Sequence, residues 1–348
     1  MANKKKKVLI TGGGGYIGVI TTKHFIDAGF DVTVLDTFYW GQKLLEFYLP
    51  KIKLSQKDIR DVNLSDLKNY SVVVHTAGLS NDPMANFNPK ANFEINTEAT
   101  ANLAVLAKKA GIQKFIFASS ASIYDIEGES GGAIQDESSK VSPKSAYSLS
   151  KYEAEKKLIA LKDNNFHPVI FRQGTVYGFS PRMRYDLVVN TMVKDALYKK
   201  EIKVFCKGEQ WRPLVEVNDV AQAYIIACYS DPRIISGQIF NLVYKNYKML
   251  DLAKIIKSVL KKQANLNVKI IVDMEDRKDR SYQISDEKTA KILKWKPKIP
   301  VEESITEMLK NIKGDYTNFL HPRYYNIEWM MTLIETSNIL KKAKRIFF

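Results

Sequence analysis

Residues 8 to 18 read VLITGGGGYIG, and no other stretch constrains the fold as much. A short apolar run ends directly on glycines, and YIGVITTKHFIDAG, with helical spacing, starts directly after them. Gly12, Gly15 and Gly18 stand in a GxxGxxG frame. Between a strand and a helix, the first glycine permits a tight turn and the second admits a pyrophosphate to the backbone. The third lets helix and strand pack closely. The helix N-terminus, with Tyr16 and Ile17 in its first turn, then turns free N–H groups toward the phosphates.

The first half of the chain repeats this alternation. DVTVLD, IKLSQ, SVVVHTAG, QKFIFASS and HPVIFRQG read as strands, and NTEATANLAVLAKKAG and AYSLSKYEAEKKLIALK read as helices. Short apolar strands alternating with helices predict an α/β fold, a Rossmann-type doubly wound parallel sheet covered on both faces. After about residue 178 the pattern loosens into mixed α/β. The expected organisation is a dinucleotide-binding domain over 1–178, a smaller and mainly substrate-binding portion over 179–313 interwoven with it, and an aromatic, basic extension over 314–348. That extension reads as a docked amphipathic helix or a subunit contact.

The second strand ends at Asp36, where a carboxylate can accept hydrogen bonds from both ribose hydroxyls of an adenosine and repels an extra phosphate. This favours NAD over NADP. Asp58 and Ile59, after the third strand, stand where a side-chain carboxylate and a backbone group can bind an adenine edge.

Composition excludes other classes. The net charge is +15, but apart from Lys4–Lys7 and the tail KKAKR the lysines are scattered, with no zinc-finger spacing, basic heptads or aromatic RNA-binding signature. No nucleic-acid partner is expected. No apolar run is long enough for a membrane span, and the N-terminal apolar segment is too short for a secretory signal. Cys206 and Cys228 are too few for a disulfide framework, which fits a reducing, cytoplasmic setting. His24, His75, His167 and His321 show no metal-ligand spacing, so no metal is expected.

Tyr147 stands one helical turn before Lys151 in SAYSLSK. A chance YxxxK is common, so its meaning depends on what precedes it. Taken in order, the motifs resemble the extended short-chain dehydrogenase/reductases, and among them the nucleotide-sugar epimerases and dehydratases such as UDP-galactose 4-epimerase. The resemblance spans roughly residues 6–312. TGGGGYIG is similar to the family's TGGxGYIG, DIRD at 58–61 to its adenine-side motif, and HTAG, with Thr76, Ala77 and Gly78, to its HxAA. Asn96 falls on the asparagine of NxxGT, and Ser120, in FIFASSASIY, on the catalytic Ser/Thr.

The resemblance implies tightly bound NAD and roles for these residues. Tyr147 is the base that takes a sugar hydroxyl proton, Lys151 holds the nicotinamide ribose and favours the phenolate, and Ser120 binds the reacting oxygen, with Ser122 beside it. Free tyrosine titrates near 10, so a neighbouring positive charge is needed for this work. The acid pair that follows the catalytic Ser/Thr in the dehydratase branch is replaced here by Ala121-Ser122, which disfavours 4,6-dehydration. Asp36 speaks against an NADPH-dependent keto-sugar reductase. What remains is oxidation of a sugar hydroxyl, at C4 by resemblance, with hydride return giving an epimerase and keto-sugar release a dehydrogenase. A non-catalytic NAD-binding scaffold is the alternative from another class.

On the substrate side, GEQWRPLVEVNDVA resembles the family's arginine motif, so Arg212 binds the nucleotide diphosphate, although Pro213 replaces the usual acid. Arg280, with Arg277, matches a second arginine segment; a planar guanidinium can bond two phosphate oxygens at once. Thr175 replaces an asparagine that touches the sugar nucleotide in the family, and Asn190 is a further candidate ligand residue. The expected partners are a nucleotide-diphosphate sugar and a second copy of the chain, a homodimer through the 96–111 and 147–164 helices.

Overall fold

The structure is a computed structural model that describes residues 5–124, 133–141, 143–275, 280–312 and 316–347. Its main sheet has seven strands in the order β3-β2-β1-β4-β5-β6-β10. These are Ile52–Gln56 (β3), Asp31–Asp36 (β2), Lys7–Thr11 (β1), Val72–His75 (β4), Lys114–Ser120 (β5), His167–Gln173 (β6) and Gln238–Leu242 (β10). Every neighbouring pair is parallel. The chain builds outward from β1 to β3, then returns to place β4 on the other side of β1. Open α/β sheets bind ligands outside the carboxyl ends of the strands at such a reversal. Here it falls between Thr11 and His75, which are in register.

The strands read as almost continuous apolar runs because both faces are covered. Val8, Ile10, Val32, Val34, Val72 and Val74 face a core shared with the Tyr16–Asp27 and Val217–Tyr229 helices. The alternate residues Leu9, Leu35, Val73, Phe115 and Phe117 face a second core, under the Thr100–Lys109 and Ala146–Ala160 helices. The Tyr16–Asp27 helix ends before Gly29, whose φ of +83° closes the turn into β2.

The portion after residue 178 is not a separate body. β10 joins the main sheet beside β6, and the Val217–Tyr229 helix packs on the Tyr16–Asp27 helix. The smaller part adds a three-stranded sheet of Thr175–Tyr177 (β7), Trp211–Glu216 (β9) and Lys245–Lys248 (β11), and a parallel pair of Glu201–Val204 (β8) and Lys269–Val272 (β12). The C-terminal segment makes short turns over Tyr316–Leu320 and Pro322–Tyr324, then a helix over Asn326–Phe347. It docks on its own chain. The Tyr185 ring lies 5.0 Å from the Phe319 ring and 5.1 Å from that of Tyr324. Among the described residues no helix is long and apolar enough to cross a membrane.

Candidate active site

A cleft opens at the carboxyl ends of β1, β2 and β4. Its walls include Gly12, Gly15, Asp36, Asp58, Ile59, Thr76, Ala77 and Gly78. Gly12, at φ +76°, lies so close to the next loop that a Cβ there would collide with the Ala77 backbone, and one on Gly18 would collide with the Gly12 carbonyl. The glycines thus press turn, helix and neighbouring loop together and leave the backbone bare toward the cleft. Asp36 receives the Gly14 amide at 2.9 Å and the Phe38 amide at 2.7 Å. Burial raises its carboxyl above the usual range, and the two amides oppose that shift. Asp58 is engaged by Arg60, whose Nε and Nη2 reach it at 3.0 and 2.8 Å and hold its carboxyl below the usual range. Bare turn, carboxylate at the β2 end and apolar wall at Ile59 fit an adenosine diphosphate.

At its Gly78 end the cleft adjoins the polar cluster. Ser120 ends β5, and Tyr147 and Lys151 lie on the Ala146–Ala160 helix, which Ser145 caps by accepting the Ser148 amide at 3.1 Å. The Ser120 hydroxyl lies close enough to the Tyr147 phenol to favour its ionised form. Ser120 Oγ donates to Ser122 Oγ at 2.9 Å. Lys151 is buried; its Nζ donates to the Ala118 carbonyl at 3.0 Å and lies 4.8 Å from the Phe117 ring centroid. A Cβ on Gly78 would stand 3.5 Å from that ammonium. Burial lowers Lys151 to about 8, against the pull of the Glu155 carboxylate.

Burial pushes the Tyr147 phenol up, while the Ser120 hydroxyl and the charge of Arg184 pull it down. Sequence reasoning did not single out Arg184. It is buried, holds Asp186 through Nε and Nη2 at 2.8 and 2.9 Å, and donates to Ser80 Oγ at 3.2 Å.

Four of the expected residues spend their side chains on the protein itself. The Tyr16 hydroxyl donates to the Gly178 carbonyl at 2.7 Å and accepts from Asn190 Nδ2 at 3.2 Å, so this side chain pins the first helix to the smaller part. Asn190 is fully buried; Nδ2 also donates to the Arg184 carbonyl, and Oδ1 accepts the Gly178 amide. Its amide protons are spent on protein partners. Ile17 packs against the core. Asn96, in a π-helical turn at Glu94–Ala99, grips the loop after β4 instead of facing the cleft. Oδ1 accepts the Leu79 amide at 2.8 Å and Nδ2 donates to the Leu79 carbonyl at 2.9 Å. It acts by positioning Gly78 and Leu79.

On the other side, Arg212 of β9 donates to the Arg280 carbonyl, and the Arg280 guanidinium pairs with Asp82. The two expected arginines therefore meet. Thr175 opens β7 in register with Leu214, two residues from Arg212. Arg277 lies outside the described residues. Among the described residues no cluster of His, Cys, Asp and Glu could hold a metal ion. The cleft also has walls that the motifs did not announce: Tyr39, Trp40, Lys57, Leu79, Ile95 and Met330.

Comparison with known proteins agrees with this geometry. The family model described as the NAD dependent epimerase/dehydratase family matches residues 8–242. A putative UDP-glucose 4-epimerase of Methanocaldococcus jannaschii is 30% identical over 88% of this chain and 99% of its own length. UDP-glucuronic acid decarboxylase 1 of Danio rerio is 25% identical over 92% of this chain and 76% of its own. The structure of a UDP-glucuronic acid 4-epimerase from Bacillus cereus, in complex with UDP-glucuronic acid and NAD, superposes with a TM-score of 0.76 at 22% identity, covering 88% of this chain and all of that one. The chain with this glycine turn, this strand reversal and this Ser-Tyr-Lys cluster belongs to the NAD dependent epimerase/dehydratase family, whose members act on nucleotide sugars.

Proposed function

We infer that the protein is a 4-epimerase of a nucleoside-diphosphate sugar. The observation that carries the reading is the cluster at the end of β5. Ser120, Tyr147 and Lys151 converge there beside the cleft, and no carboxylate follows Ser120 in Ala121–Tyr124. The residues that would hold NAD are Gly12, Gly15, Asp36, Asp58, Ile59 and Thr76–Gly78 along the adenosine half, with Lys151 at the nicotinamide end. Bound there, NAD supplies hydride acceptance and return at the sugar carbon.

The protein's own part is proton handling and orientation. Tyr147 takes the C4 hydroxyl proton as the carbonyl forms and gives it back as the new hydroxyl forms. Ser120 hydrogen-bonds the same oxygen. The charge of Arg184 supports the phenolate that this cycle requires. Arg212 and Arg280 bind the diphosphate, and Thr175 lies along the sugar nucleotide. UDP is the favoured nucleotide, supported by the relatives' names. The test is incubation with UDP-glucose and UDP-glucuronic acid, with products identified by NMR; an inverted C4 centre supports the reading and an unchanged sugar opposes it.

A second reading has support in the likeness to UDP-glucuronic acid decarboxylases. Loss of the C6 carboxyl as carbon dioxide would establish it. A dehydrogenase would instead release a keto sugar. The same proposal includes a homodimer through the two helices named above; Leu149 and Ile159, on the second, are exposed. A solution mass of one chain would remove that part.

A further inference from the structure

We propose that the C-terminal segment around Arg323–Met330 is a strap that closes the cofactor cleft and makes NAD a resident group, a role that no family motif assigns to it.

The segment is bonded to two opposite rims. On the rim after β2, the Trp329 indole donates to the Tyr39 carbonyl at 2.7 Å, and the Trp40 indole donates to the Arg323 carbonyl at 3.1 Å. On the rim after β4, Asn326 Nδ2 donates to Ser80 Oγ at 2.9 Å. In the sheet, β1 with its glycine turn lies between β2 and β4. A segment tied to both outer loops therefore crosses above the turn that receives the pyrophosphate. Met330 completes the crossing, since its side lines the same cleft as Gly12 and Asp36.

The anchor of the strap is built, not incidental. Asn326 is 5% exposed, and its Oδ1 accepts from Arg182 Nη2 at 2.5 Å. The Arg182 guanidinium lies 4.1 Å from the Trp40 ring centroid, so one buried cation joins strap and rim. Tyr39 and Trp40 are themselves cleft walls, so releasing the strap also frees the wall over the adenosine. A dinucleotide lying between the glycine turn and this strap leaves only after the indole and amide bonds open. Its escape rate then scales with the population of the opened strap. Slow escape suits a cycle in which the cofactor that takes the hydride must still be present to return it.

Cofactor retention tests this without reference to turnover. Wild-type protein, Trp329→Phe and Asn326→Ala are loaded with NAD and passed through a desalting column. The nucleotide still bound is then released by acid and quantified against time. Trp329→Phe keeps an aromatic side chain and removes the donor to Tyr39. Asn326→Ala removes the bond to Ser80 at the second rim and the bond from Arg182. The expected result is release about tenfold faster in each variant, the scale of one or two lost hydrogen bonds, with folding by circular dichroism unchanged. Release at the wild-type rate from folded variants overturns the strap. If Asn326→Ala does not fold, the Trp329→Phe rate decides alone. Wild-type protein that binds no NAD would defeat the cofactor assignment itself, which is a different result from fast release.

Discussion

The Glu155 carboxylate and the Arg172 guanidinium form an ion pair 2.7 Å apart beneath the helix that carries Tyr147 and Lys151, both side chains almost wholly buried. Glu155 also accepts from Ser119 Oγ at 2.5 Å, and Arg172 reaches the Tyr124 hydroxyl at 2.8 Å. This network ties β5, β6 and the helix of Tyr147 and Lys151 together. Removing one partner leaves an uncompensated buried charge, so Arg172→Met is expected to cost about 3–5 kcal/mol in denaturant unfolding. The double variant Arg172→Met with Glu155→Leu is expected to recover part of that loss. Equal losses in single and double variants would mean that the pair does not act as a unit.

Asp36 is expected to set the choice of dinucleotide. Its two oxygens already receive the Gly14 and Phe38 amides, so Asp36→Asn keeps an acceptor and removes the charge. NAD affinity is expected to fall about tenfold, the scale of one charged hydrogen bond, and the gap between NAD and NADP to narrow. Titration of both nucleotides measures this. An unchanged preference would place the discrimination elsewhere.

Gly18→Ala is expected to abolish NAD binding and destabilise the fold, because its Cβ would collide with the Gly12 carbonyl. Gly29→Ala serves as the comparison. It meets nothing within 4 Å but sits at φ +83°, so it costs only backbone strain of about 1 kcal/mol. Similar loss of cofactor in both variants would contradict the packing explanation.

His75 and Lys151 give the stability a pH profile. His75 is fully buried between the Thr11 and Thr100 hydroxyls, and burial, helped by the Lys151 charge, lowers it from 6.5 to about 3. Between those values the unfolded chain binds the proton and the fold does not. Stability is therefore lost as pH falls from 6.5 toward 3, by up to about 5 kcal/mol. Lys151, lowered from 10.5 to about 8, acts on the other limb. Between about 8 and 10.5 only the unfolded chain holds its proton, so this group adds stability as pH rises. Urea unfolding from pH 4 to 9 checks the signs, and a flatter acid limb is expected in His75→Gln.

The main sheet was legible because its strands are buried on both faces, which leaves runs such as SVVVH unbroken by polar residues. Ser120, Tyr147 and Lys151 were legible as candidates through the resemblance of FIFASSASIY and SAYSLSK to the family's motifs. Side-chain direction was not. Asn190 is a candidate ligand residue by sequence, but packing turns its amide toward the Tyr16 hydroxyl and Gly178. The strap was hidden for another reason. Trp40 meets the Arg323 carbonyl across 283 positions of sequence, and no local periodicity records such a contact. Arg184 lies in the irregular stretch between β7 and the next helix, where its neighbourhood with Tyr147 is purely tertiary.

The central claim is that Tyr147 is the base of a C4 inversion. Its most direct test is NMR analysis of UDP-glucose and UDP-glucuronic acid after incubation with wild-type protein and with Tyr147→Phe, with absorbance at 340 nm followed throughout. The account predicts a C4-inverted sugar with no lasting rise at 340 nm. It also predicts a loss of about 10²–10⁴-fold in Tyr147→Phe, the usual worth of a general base, with NAD still bound. A keto or decarboxylated sugar from the wild-type protein, or full turnover by Tyr147→Phe, would contradict it.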